Sequence, residues 1–205
     1  CADLGLAFAQ LSSGMGEAGE KGLAALPGRE EAFRRDVLRA LDYAEEIGCP
    51  YLHPMAGLGG EAETYRRNLD WALRAAEGRL RLLVEAITLP GYHMARLDQA
   101  LALRAGLGPG VTLLFDSYHA AVLGEDAAGW IAAHGESIGH VHIADHPGRH
   151  QPGSGVLDFG ALRAALSATG YSGAIGFEYV PDGQEHLAFL ADWLPPFEQE
   201  ELRNV

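Results

Sequence analysis

Apolar residues recur along this chain in two rhythms: short unbroken apolar runs, which read as buried strands, and apolar positions every third or fourth residue, which read as amphipathic helices. The runs LGLAFAQL (4–11), 49–56, LRLLVE (80–85), VTLLFD (111–116), a segment opening at Ile138, and AIGFEYV (174–180) predict six strands. Between them the spacing predicts a helix over 30–47, with Phe33, Val37, Leu41, Ala44 and Ile47 on one face and Gly48 to end it. A second helix covers 64–77, with Tyr65, Leu69, Leu73 and Ala76 inward, and others cover 95–104 and 126–134. Asp158 is placed to cap a helix carrying Phe159, Leu162 and Leu166, which Gly170 terminates. The Gly-rich stretch 12–22 reads as a loop, and a short final helix leads to Pro195, Pro196 and an acidic tail. Six strand–helix units in strict alternation predict an α/β fold with a parallel sheet covered by helices.

The remaining global features narrow the function more than the fold. With 205 residues, 48% hydrophobic and 21% charged, the chain is sized for one domain over 1–205. Its net charge of −13, with only 15 Lys and Arg scattered along it, argues against a nucleic-acid partner, because phosphate binding draws on clustered basic residues. Cys1 and Cys49 are too few for a disulfide framework, which points to a reducing, cytoplasmic setting. No apolar run approaches the roughly 20 residues of a membrane span, and no signal peptide is visible. The first residue is Cys rather than Met, so an earlier start is expected to have been lost or processed.

One stretch organises the chemistry. In IGHVHIADHPGRHQPGSG (138–155) the alternation puts His140 and His142 on one strand face and Val141 and Ile143 on the other, before a Gly-rich loop with one Arg. Other strands also end on metal-binding residue types: Glu85, Asp116 and Glu178, spaced with His142 by roughly one βα unit each. Parallel α/β folds gather function at the carboxyl ends of their strands, so the four are expected to converge. The ordinary alternative treats each acid as a helix cap or a surface charge. It suits Asp116, which precedes Ser117, but not Glu85 or Glu178, since Glu is a poor N-cap and an unpartnered acid ending an apolar strand is desolvated at a cost of about several kcal/mol. Carboxylates brought together also repel, and a divalent cation relieves that repulsion. Three carboxylates and one imidazole make a hard, oxygen-rich donor set suited to Mg²⁺ or Mn²⁺, with Co²⁺ tolerated and Zn²⁺ a further alternative.

The segments GLAALPGREEAF, CPYLHPMAG, VEAITLPGY, FDSYH, IGHVHIADHPGRHQPGSG and GFEYVP, in this order, resemble the hydroxypyruvate isomerase family, which includes 2-oxo-tetronate isomerases, within the xylose-isomerase-like TIM barrels. The resemblance implies a (β/α)8 barrel with a divalent metal held by Glu85, Asp116, His142 and Glu178. It also implies that Glu85 and Glu178 double as the acid/base pair of an aldose–ketose type isomerisation of a small hydroxy-keto acid, passing through an enediolate. For such a substrate Arg149 suits a carboxylate, His119 is placed to bond an oxygen and His53 on the second strand lines the same pocket, the alternatives being a surface loop arginine and ordinary buried or surface histidines. This sequence departs from the family in three places. Where the family usually has Gln in the third ligand position, this sequence has His142, as ketose 3-epimerases do. The loop after Glu85 is short. The family's first two βα units have no counterpart before Cys1, which leaves an open barrel whose edges a second copy of the chain or a preceding segment would cover. A ketose 3-epimerase or inosose-type dehydratase therefore stays open, followed by a metal-dependent abasic-site endonuclease and an inactive remnant.

Overall fold

Strands rich in Leu and Val and buried on both faces assemble at the centre of the computed structural model, which describes residues 4–193. Cys1, Pro195, Pro196 and the acidic tail lie outside the described residues. In chain order the elements are β1 (Leu11–Ser13), α1 (Glu30–Ile47), β2 (Tyr51–Pro54), α2 (Ala62–Ala76), β3 (Arg81–Glu85), α3 (Leu97–Leu107), β4 (Val111–Asp116), α4 (Ser117–Val122), α5 (Ala127–His134), β5 (Ile138–Ile143), α6 (Phe159–Ala168), β6 (Ile175–Phe177) and α7 (Leu190–Trp193). All neighbouring strands are parallel and the sheet order is the sequence order, β1 to β6, which makes a half-barrel. Phe33, Val37 and Leu41 of α1 and Tyr65 and Leu69 of α2 are buried with Leu82, Val84, Leu113, Phe115, Val141 and Ile143 of the strands in one core. The opposite side of the strands carries His53, Glu85, Asp116 and His140, all buried. Among the described residues no helix is long and apolar enough to cross a membrane.

The first strand departs from the sequence reading. Residues 4–10 are not a buried strand: Leu4 is 76% exposed and Leu6 62%, while the strand itself is Leu11–Ser13, two residues of which fall in the stretch that reads as a loop. Apolar character records a tendency to be buried, but backbone pairing decides where a strand runs, and the partners here are Leu52, His53 and Pro54. The last strand is also shorter than 174–180, because Val180 donates its N–H to the Arg149 carbonyl (2.7 Å) instead of continuing the ladder. The sequence pattern also lacks α4, a short helix directly after β4 whose start Asp116 caps.

Candidate active site at the strand ends

The carboxyl ends of β3, β4 and β5, and the residue following β6, place Glu85, Asp116, His142 and Glu178 around one point. One ligand atom from each lies within 4.8 Å of the others. Local structure explains each position. Asp116 and His142 are register partners across β4 and β5. Gly176, the β6 partner of His142, lies where a Cβ would come within 2.9 Å of the His142 ring and 3.3 Å of the His140 ring, so only glycine leaves room for both imidazoles. Glu178 remains tied to the sheet by its N–H, which donates to the Ile143 carbonyl at 3.1 Å.

Asp116 divides its two oxygens. Oδ1 accepts from the Tyr118 and His119 N–H groups at 2.7 and 3.2 Å, so the ordinary cap reading is realised, while Oδ2 faces the cluster. His142 Nδ1 lies 2.9 Å from Glu178 Oε2 and is buried without a well-aligned hydrogen bond, so the nitrogen and the oxygen face a common space. A guanidinium already answers this demand for positive charge: Arg149 Nη2 donates to Asp116 Oδ2 at 3.0 Å and to Glu178 Oε2 at 2.8 Å. Three oxygen donors, an unsatisfied ring nitrogen and a cation on two of the carboxylates fit a divalent metal ion.

The two glutamates have opposite electrostatic settings. Burial, with the charges of Asp116 and Glu178 adding to it, pushes Glu85 well above the usual carboxylate range. The adjoining His142 ring and the Arg149 guanidinium hold Glu178 below that range, against a burial effect of opposite sign. Glu85 is nearly enclosed, with 7% of its side chain exposed, against 55% for Glu178. Two carboxyl groups driven apart in this way are suited to different proton-transfer roles.

His53, on β2, is buried with Nδ1 3.6 Å from Glu85 Oε2, and burial followed by the nearby His142 takes it down to about 4, leaving it neutral at neutral pH. His119 is fixed by Thr88, whose N–H donates to Nδ1 at 3.3 Å and whose hydroxyl lies 2.7 Å from the same nitrogen. With Nδ1 accepting, the assigned ring proton sits on Nε2, which lies 4.0 Å from both Glu85 Oε1 and Asp116 Oδ2. Both histidines, Arg149 and the cluster residues Glu85, His142 and Glu178 line a cavity of about 590 Å³. The short loop after Glu85 forms another wall through Ile87, Thr88, Leu89 and Tyr92, and the Tyr92 hydroxyl accepts from the Ala56 N–H at 2.9 Å. Arg149 lines this cavity, with its guanidinium on the carboxylates and over the Tyr118 ring, 5.5 Å from the centroid.

Sequence reasoning missed Asp145. Fully buried just after β5, its carboxylate accepts from the N–H groups of His146, Gly153, Gly155 and Leu157 at 2.8 to 3.1 Å, folding the Arg149 loop around one residue. An Asp before a Gly- and Pro-rich stretch is a readable turn signal. Asp145→Ala is expected to cost about 2–4 kcal/mol, since a charged acceptor is lost to several donors. Urea unfolding measures that loss, and hydrogen exchange should show faster opening confined to 146–157; wild-type protection there would contradict the role given to Asp145. Lys21 and Gln10, also on the cavity wall, carried no pattern signal.

A family model described as a xylose isomerase-like TIM barrel matches residues 1–196. The chain is 38% identical over 192 residues to 2-oxo-tetronate isomerase of Cupriavidus necator, covering 88% of this chain and 73% of that protein. It is 31% identical over 199 residues to hydroxypyruvate isomerase of Escherichia coli, covering 91% and 76%. Among solved structures, one described as AP endonuclease, family 2, from Brucella melitensis superposes with a TM-score of 0.88 at 32% identity, over 95% of this chain and 81% of that one.

Proposed function

The chain belongs to the hydroxypyruvate isomerase and 2-oxo-tetronate isomerase family of xylose isomerase-like TIM barrels, and from that premise we propose that it interconverts a small hydroxy-keto acid and its hydroxy-aldehyde isomer, with Glu85 and Glu178 moving the proton. The observation that carries this reading is the approach of Glu85, Asp116, His142 and Glu178 to within 4.8 Å at the strand ends. These four residues would hold a divalent cation, which when bound supplies positive charge to the oxygens of the enediolate.

The chain's own residues supply the rest. With hydroxypyruvate, Glu178, held ionised, takes a proton from C3. Glu85, ionised once a cation is held, takes the C3 hydroxyl proton and passes it to C2, while Glu178 passes the C3 proton to the C2 oxygen, so both carboxylates end as they began. The product is tartronate semialdehyde, with no net gain or loss of atoms or electrons. His119, with its Nε2–H directed at the cluster, is placed to donate to a substrate oxygen, and buried His53 shields Glu85 from water. The apolar wall of Ile87 and Leu89 limits solvent around the carbon that loses its proton.

A coupled assay following hydroxypyruvate consumption and tartronate semialdehyde formation, run beside 2-oxo-tetronates and ketohexoses, tests the reading. Turnover of the keto acids is expected. Epimerisation of ketohexoses alone would instead favour a 3-epimerase, the alternative for which His142 argues. The endonuclease alternative predicts three zinc ions per chain by metal analysis; the four residues here are the single such group among the described residues, a set for one ion.

A further inference from the structure

The cavity is lined by two basic side chains, Arg149 and Lys21, and they are in opposite circumstances. Arg149 is held by two carboxylates. Lys21 makes no ion pair among the described residues and is exposed at the cavity wall. Its position is nevertheless built. Glu20, just before it, accepts the Leu58 N–H through its carbonyl at 2.9 Å, and Gly22, just after it, donates its N–H to the Met15 carbonyl at 3.0 Å. Gly22 also bridges Ala56, and a Cβ there would lie 2.5 Å from Met55 O and Gly57 N, so the chain is clamped against the exit of β2. Between these fixed neighbours Lys21 takes a left-handed backbone conformation, φ 58°, which a lysine adopts only where the surroundings impose it. The flanking acid gives it no competition, because Glu20 is paired with Arg29.

A keto-acid substrate brings its own negative charge into a cavity that already holds Glu85, Asp116 and Glu178, so a cation not committed to those carboxylates is required. We propose that Lys21 binds the substrate carboxylate, leaving Arg149 to Asp116 and Glu178. The inference rests on the keto-acid reading above and deepens it: Lys21 becomes the residue that selects acids over uncharged sugars of the same length. It also reverses the role that the sequence suggested for Arg149. Lys21 stands on the β1 side of the half-barrel and Arg149 follows β5, so a short acid anchored at Lys21 would extend across the cavity toward the cluster with its carbonyl leading.

Steady-state kinetics of Lys21→Met and Lys21→Arg with hydroxypyruvate, together with calorimetric binding of the non-reacting hydroxy acid tartronate, test this. Loss of one charge-assisted contact is expected to raise KM and the tartronate Kd by roughly tenfold or more in Lys21→Met while kcat stays within about threefold, and Lys21→Arg is expected to recover most of the loss. An unchanged KM and Kd in Lys21→Met, with Arg149→Met weakening both, would overturn the proposal in favour of Arg149. If the wild-type protein turns over no keto acid, the functional reading fails, whereas tartronate binding that depends on Lys21 would still support a carboxylate site there and its independence of Lys21 would remove one.

Discussion

Glu178→Gln is expected to lower kcat by about 10²–10⁴-fold while KM for hydroxypyruvate changes little, because the amide keeps the shape of the side chain but cannot take a proton from carbon. The fold should tolerate the change. Glu178 lies beyond the end of β6, its side chain is half exposed, and the amide oxygen can still accept from Arg149. Metal content per chain, measured on the same sample, separates loss of the base from loss of the ion. Glu85→Gln is expected to reduce turnover comparably but to act differently on stability. In metal-free protein Glu85 sits above the usual carboxylate range, so its contribution to stability is present at low pH and is lost as pH rises through that raised value. Glutamine mimics the protonated form and loses nothing over that window, so metal-free Glu85→Gln should be no less stable than wild type at neutral pH, and thermal unfolding compared at pH 5 and pH 8 reads the difference. Wild-type kcat in Glu178→Gln would remove it from the proton path.

The four-residue convergence was legible because it depends on two regularities visible in the chain: strict strand–helix alternation fixes where each strand's carboxyl end lies, and alternation within 138–143 fixes which way the histidines face. Glu85, Asp116, His142 and Glu178 accordingly meet where the pattern places them. The span of α1, 30–47, and its glycine stop also follow from spacing alone. What the pattern does not contain is the identity of partners. Leu4 and Leu6 look buried because they are apolar, and only the pairing of Leu11–Ser13 with β2 shows where the sheet begins. Arg149 is chemically equipped for a substrate carboxylate, but a guanidinium goes to the strongest anionic site within reach, and here that is a pair of protein carboxylates. Asp145 and Lys21 escaped notice for a related reason. Neither lies on a periodic face, and each takes its role from backbone groups or empty space supplied by distant segments.

Removal of divalent metal by a chelator is expected to abolish isomerase activity, and Mn²⁺ or Mg²⁺ to restore it. The thermodynamic side of this prediction does not depend on finding the right substrate. An ion present at a hundred times its Kd stabilises the folded chain by about 2.7 kcal/mol, a rise of about 5–10 °C in Tm for a chain of this size. Two features of the site set how that rise depends on conditions. The ion must share Asp116 Oδ2 and Glu178 Oε2 with the Arg149 guanidinium, and it must displace the proton that burial keeps on Glu85. Affinity should therefore climb with pH from the ordinary carboxylate range up to the raised value of Glu85 and then level off, with up to one proton released per ion bound. Calorimetry in buffers of different ionisation enthalpy counts that proton, and in Glu85→Gln the count should fall to none. A Tm indifferent to Mn²⁺ and Mg²⁺ from pH 5 to pH 8, in protein that nonetheless turns over hydroxypyruvate, would mean that the carboxylates are held together by Arg149 alone and that the proton transfer proceeds without a metal ion.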